Sequence, residues 1–127
     1  MDVADSLAEA AVTVSAERYA VVKADRPDPD AFASIQDGRE TTLVVEEGTY
    51  DPDTAIQVEP GWKVLTFEAV LPFDLVGFLA RVATALAEAD VSIFALSAYS
   101  TDHVLVKAED LDAALATLDE LGCDVPL

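Results

Sequence analysis

The chain has 127 residues, with 25 acidic side chains against 7 basic ones and a net charge of −18, yet 52% of it is apolar and its mean hydropathy is +0.29. That much apolar material excludes an acidic disordered chain, which could not offset the entropy of folding, and the length suits one domain or two very small units sharing a core. The charge excludes nucleic acid and anionic membrane surfaces as partners, because both select a basic surface.

Residues 3–15 predict a helix, with Leu7, Ala11 and Val14 at helical spacing. Residues 18–24 predict a strand that sends Tyr19, Val21 and Lys23 to one face and Ala20 and Val22 to the other. Pro27 and Pro29 end it, since proline fixes φ and has no N–H to donate. A short strand over 32–36 leads into a hairpin turn at Asp37-Gly38-Arg39, where the glycine can take a positive φ. Residues 41–46 return as a strand carrying Leu43, Val44 and Val45. Residues 47–61 are rich in Gly, Pro and Asp and read as a connecting loop.

Residues 62–70 predict a long strand, ended by Pro72. Asp74 is placed to cap a helix running to Ala89, with Leu75, Leu79, Val82 and Leu86 on one stripe. After Asp90, residues 92–99 predict a strand, Ser100-Thr101-Asp102 a tight turn, and 103–107 a strand. Ala108-Glu109-Asp110 opens a second helix with Leu111, Leu115 and Leu118 on its stripe, its acids suited to the positive N-terminal end. Gly122 stops that helix, and residues 123–126 read as a last short strand. The order over 62–127 is β-α-β-β-α-β, the ferredoxin-like unit. The division expected is an N-terminal helix plus an incomplete unit over 1–61, and a complete unit over 62–127.

Two helices cover one face of such a sheet, and the other face is polar where it meets water. Here Trp62, Val64 and Val70 oppose Leu65, Phe67 and Ala69, and Phe94, Leu96 and Ala98 oppose Ile93, Ala95 and Tyr99. Apolar residues on both faces ask for a cover: the strands of the first half, or a second chain. Trp62 and Phe94 are the natural probes of such an interface.

The acid is spread along the chain. Residues 1–61 hold 14 acids and 4 bases, and residues 62–127 hold 11 and 3. A compact monomer of this mass exposes roughly 6,500 Å², or about one net negative charge per 360 Å². Such a surface repels itself at low salt, and at molar salt the screening length falls to about 3 Å. With three lysines and no asparagine, this points to the cytoplasm of a salt-accumulating archaeon; an ordinary acidic protein with a local partner site is the alternative. Cys123 is the single cysteine, so no intrachain disulfide forms. It reads as a buried structural thiol, with Asp124 raising its pKa. One Cys with one His makes no metal cluster. The N-terminus carries no basic leader, and no apolar run approaches the roughly 18 residues of a membrane span.

The run from Phe73 to Ile93 resembles the beginning of an ACT domain. Gly77-Phe78-Leu79-Ala80 matches that family's Gly-Leu-Leu-Ala-like step, and Asp90-Val91-Ser92-Ile93 matches its approach to the second strand. Residues 111–125 match the second helix and last strand. The resemblance covers 62–127 and implies an α+β fold: a ferredoxin-like βαββαβ (ACT) unit preceded by an incomplete, βββ-containing ACT-like unit. Tyr19-Ala20-Val21-Val22, Thr42-Leu43-Val44-Val45 and Ala98-Tyr99-Ser100-Thr101-Asp102-His103-Val104-Leu105-Val106 are similar to a small prokaryotic family with two ACT-like units per chain, mostly without assigned function. The stretch from Tyr99 to Val106 also resembles the eukaryotic cytosolic arginine sensor built from ACT domains. The first half departs from a full unit, being incomplete or permuted.

The resemblance implies a regulatory module that binds a small ligand, usually an amino acid, at an interface between units. Asp74, Val76, Gly77, Ala98, Tyr99 and Asp102 outline the expected site. Backbone N–H groups at a helix start can hold a carboxylate, Gly77 allows close approach, and Asp102 matches the acid that meets a ligand's cationic end. Each has a plainer reading: Asp74 as an N-cap, Gly77 as relief of helix–strand crowding, Asp102 as a turn acid. His103 points away from Asp102, as strand neighbours do, and reads as structural or as the partner of a nearby carboxylate. Ser97 and Ser100 lack a base and an oxyanion hole, and the scattered glycines form no phosphate loop. The expectation is therefore no enzyme and no cofactor, with a homodimer through sheet or helix faces. The competing class is an assembly module without a ligand.

Overall fold

The computed structural model describes residues 2–68 and 76–126. Contacts gather the chain into two compact units, one of residues 16–63 and one of residues 1–15 with 64–127. The N-terminal segment thus packs with the second half of the chain.

In the larger unit, helix α1 (Val3–Glu9) is capped by Asp2, whose carboxylate accepts the Asp5 N–H at 2.9 Å. The helix expected over 3–15 ends at Glu9. Residues Ala11–Val14 form strand β1, which pairs antiparallel with the end of β5 (Ala55–Glu68) and sets Val12 opposite Phe67. The β-branched run Val12-Thr13-Val14 favours an extended chain, and it buries Val12 while Thr13 faces out. Next to β5 lies β7 (Asp102–Lys107), which forms a hairpin with β6 (Ile93–Ser97). Helices α2 (Phe78–Glu88) and α3 (Leu111–Glu120, entered by a 3-10 turn at Ala108–Asp110) cover one face. Their Phe78, Val82, Leu86, Leu115 and Leu118 pack with Leu65, Phe67, Val104 and Val106 of the sheet. This is the expected α+β ferredoxin-like arrangement.

Three expectations are corrected. The last strand reduces to a single parallel bridge between Asp124 and Ala11; β1, from the far end of the sequence, takes the place beside β5. The cap of α2 is Gly77, in the left-handed conformation at φ 92°, and not Asp74, which with Leu75 and Pro72 lies outside the described residues. Asp102 is the first residue of β7 rather than part of the turn.

The smaller unit is a sheet of four strands in the order β3 (Ala33–Gln36), β4 (Thr41–Glu46), β2 (Tyr19–Ala24) and the first part of β5. Ala20, Val22, Ala24, Leu43 and Val45 form its core. Residues 47–61 are not all loop, because β5 begins at Ala55 and runs through Pro60 and Gly61. It does so by a bulge: Tyr19 faces Trp62 but Val21 faces Glu59. Two steps on β2 match three on β5, and Gly61 absorbs the extra residue at φ 88°. Trp62 is buried, its indole N–H donating to the Glu59 carbonyl at 3.0 Å. The β3–β4 turn does not rest on a left-handed Gly38, which is absent from the positive-φ glycines. The Asp37 carboxylate shapes it, accepting the N–H groups of Arg39 and Glu40 at 2.8 and 2.9 Å. Those bonds also hold the Asp37 pKa below the usual carboxylate value.

Candidate functional site

The β6–β7 hairpin brings three of the expected site residues together. Ser97 and Asp102 face each other across the strand pair, and the Ser97 hydroxyl donates to the Asp102 carboxylate at 2.6 Å. Such a bond to an ionised acceptor is among the stronger neutral-to-charged contacts, and it holds the half-buried Asp102 side chain in one orientation. The turn between them is closed by the Ala98 N–H donating to the Thr101 carbonyl at 2.8 Å. The Ala98 amide is therefore engaged within the turn. Tyr99, at the tip, is 81% exposed.

Val76 and Gly77 stand before α2. Val76 is 83% exposed, and Gly77 at the cap has no side chain to satisfy the first turn. A Cβ on Gly77 would lie 3.6 Å from the Val3 side chain, so space permits one, and the positive φ is what selects glycine. Thr66, near the end of β5, hydrogen-bonds His103 Nδ1 at 2.9 Å near the start of β7. The end of β5, from which the chain runs on towards α2, thus lies at the hairpin end of the sheet.

His103 points to the opposite face from Asp102, as alternation along a strand requires. Its Nδ1 is hydrogen-bonded with the Thr66 hydroxyl, and the carboxylates of Asp102 and Glu68 act on it through their charge. Burial lowers its pKa below the ordinary value, and the charges of Asp102 and Glu68 oppose that shift without reversing it. Cys123 is buried, and burial, rather than the charge of Asp124, raises its thiol pKa.

Sequence reasoning missed two features. One is Ser97 as the partner of Asp102, for which strand parity across a four-residue turn is the signal. The other is a groove of about 500 Å³ along α2 from Gly77 to Glu88, walled by Val3 and Leu121 and carrying Arg81. Of the expected site residues, only Gly77 lines it. Among the described residues no cluster of three His, Cys, Asp or Glu could hold a metal ion, and no helix is long and apolar enough to cross a membrane.

Helices over one face of an antiparallel sheet, with a carboxylate set in a hairpin at the sheet's end, define a ferredoxin-like α+β module. Residues 57–120, half of the chain, match the ACT domain family, and the chain belongs to it. ACT domains are regulatory and often bind amino acids. A search of curated proteins finds no match. Among solved structures, a protein from Agrobacterium tumefaciens is similar at a TM-score of 0.79 and 21% identity, over 93% of this chain and 92% of that one. A protein of unknown function from Vibrio cholerae is similar at 0.72 and 23%, over 94% of each. The ligand-free regulatory subunit of aspartate kinase from Thermus thermophilus is similar at 0.65 and 14%, over 91% of this chain and 98% of that one. At these identities the likeness is one of fold.

Proposed function

We propose that the protein is a non-catalytic regulatory module that binds a small ligand, an amino acid, at the hairpin end of the larger unit's sheet. The observation that carries this reading is the Asp102 carboxylate, held by Ser97 at 2.6 Å beside the exposed tip residue Tyr99. Asp102 receives the ligand's cationic end, which favours a cationic amino acid. The uncapped N–H groups after Gly77 receive its carboxylate. Val76, Ala98 and Tyr99 wall the site, and Asp74 is assigned to it from the family resemblance. The interface between units that closes such a site in this family is supplied by a second ACT unit. The amino-acid-responsive character of ACT domains and the aspartate kinase regulatory neighbour support the reading. We also place the protein in the cytoplasm of a salt-accumulating archaeon. In support, the described residues show the ion pairs Lys23–Glu40 and Arg26–Asp25, against 25 acidic side chains in the sequence.

The test is thermal unfolding at molar salt with each of the twenty amino acids. A ligand at 100 times its Kd stabilises by about 2.7 kcal/mol, and Asp102→Ala removes that gain while leaving the unliganded Tm close to wild type. A Tm unmoved by every amino acid overturns the reading. It would favour the second one, an assembly module without a ligand, which the exposed Val76 and Tyr99 also suit.

A further inference from the structure

We propose that Ser97 sets the specificity of the Asp102 carboxylate, so that it takes an amino acid whose side chain ends in an ammonium group and discriminates against a guanidinium. This rests on the reading of Asp102 as the acceptor of a ligand's cationic end, and it names the chemistry of that end.

The hairpin ladder fixes the pair. Along two antiparallel strands, hydrogen-bonded and non-hydrogen-bonded residue pairs alternate, and side chains stand closest in the second kind. The Ala98 N–H donates to the Thr101 carbonyl at 2.8 Å. The next pair inward, Ser97 with Asp102, is therefore of the close kind. There the Ser97 hydroxyl donates to Asp102 Oδ1 at 2.6 Å. Strand alternation puts Asp102 on the same side as Val104 and Val106, which pack with the two helices. The carboxylate thus faces the helix side of the sheet, and His103 with Thr66 takes the other side.

A guanidinium binds a carboxylate best as a fork, with two parallel N–H groups on two oxygens in one plane. Here Oδ1 already accepts from Ser97, and that bond also holds the carboxylate against rotation. Oδ2 is left to the ligand, which is a seat for one prong of the fork. An ammonium is a compact point charge with three rotatable donors, and it needs no pair of oxygens in a set plane. One of its donors reaches Oδ2. A second reaches Ser97 Oγ, which gives its proton to Oδ1 and keeps its own lone pairs as acceptors. The serine therefore removes half of the fork's seat and adds an acceptor that an ammonium can use. The resemblance of residues 99–106 to the arginine sensor implies a guanidinium at this carboxylate. The bond from Ser97 favours the other cation.

Calorimetric titration of the full chain at molar KCl with L-lysine, L-arginine and L-norleucine tests this; norleucine has the unbranched side chain without the charge. The wild type is expected to bind lysine ~10-fold or more tighter than arginine, and norleucine more weakly than lysine. Ser97→Ala opens Oδ1 to the fork and should shrink the lysine-to-arginine ratio by ~10-fold, loosening lysine and tightening arginine. Ser97→Thr keeps the hydroxyl on a residue suited to a strand and should leave the ratio close to wild type. Position 97 is exposed, and circular dichroism verifies that both variants fold. The ratio compares two ligands on one protein, so a loss of stability alone does not move it. Arginine bound as tightly as lysine, a ratio unchanged in Ser97→Ala, or a ratio that Ser97→Thr loses as fully as Ser97→Ala overturns this proposal while the amino-acid site at Asp102 stands. Norleucine bound as tightly as lysine, or no amino acid bound at all, overturns the reading of Asp102 as a cation acceptor and this proposal with it.

Discussion

The two units reach order by different means. The larger one buries large side chains, Phe67, Phe78, Leu65, Leu86 and Leu118 among them, between two helices and a sheet. The smaller one has no helix and a core of alanine, valine and one leucine. Its strands are joined by turns that aspartates shape: Asp28, Asp37 and Asp51 each accept a backbone N–H two residues on, at 2.8–2.9 Å. This teaches something about the acid. The larger unit carries 14 acids against 2 bases, and the smaller 11 against 5. In the smaller unit part of the acid is structural, doing turn work that asparagine shares in other chains and that this chain, with no asparagine, gives to aspartate.

The largest expected effect lies in the larger core. Phe67 is fully buried and meets Phe78 edge to face at 5.4 Å and 90°. Phe67→Ala should cost ~3–5 kcal/mol, read by denaturant unfolding. Val22→Ala in the smaller core removes two methyl groups' worth of burial and should cost about 1.5–2 kcal/mol. Equal losses would break the contrast between the units. A smaller effect separates two glycines of the smaller unit. Gly61→Ala forces a side chain into a left-handed position and should cost about 1–2 kcal/mol, whereas Gly38→Ala, with open space and no positive φ, should be close to neutral.

The smallest effect is a pH dependence in the larger unit. The folded pKa of His103 lies below its ordinary value of 6.5, so the unfolded chain binds more protons in that window. Stability from this group is present above pH 6.5 and is lost as the pH falls through 6.5 towards the folded pKa. Denaturant midpoints for wild type and His103→Gln between pH 7.5 and 5 should show the wild type losing more stability on acidification. Parallel curves would show that His103 does not titrate with folding.

The strand–helix pattern of the second half was legible because burial stripes are local. Leu79, Val82 and Leu86 announce one helix, and Leu111, Leu115 and Leu118 the other. The Ala98–Asp102 hairpin was legible from the Ser100-Thr101-Asp102 turn and the family resemblance. Its tie to Ser97 was not, since the pairing emerges only once Asp102 joins the strand. The Thr66–His103 bond joins residues 37 positions apart, and periodicity carries no information on such pairs.

By itself, the sequence determined which segments have an apolar face and of what period, hence the βαββα order of the second half, and it carried the resemblance to the ACT family. Only the tertiary structure decided who pairs with whom. Residues 11–14 form a strand because the flank of β5, more than 50 residues away, offers them a ladder and a place for Val12 against Phe67. Residues 55–61 extend through Pro60 and Gly61 because β2 supplies bonds on one side and a bulge absorbs the mismatch. Local preference alone settles neither segment, and backbone hydrogen-bond partners supplied from a distance tip the balance.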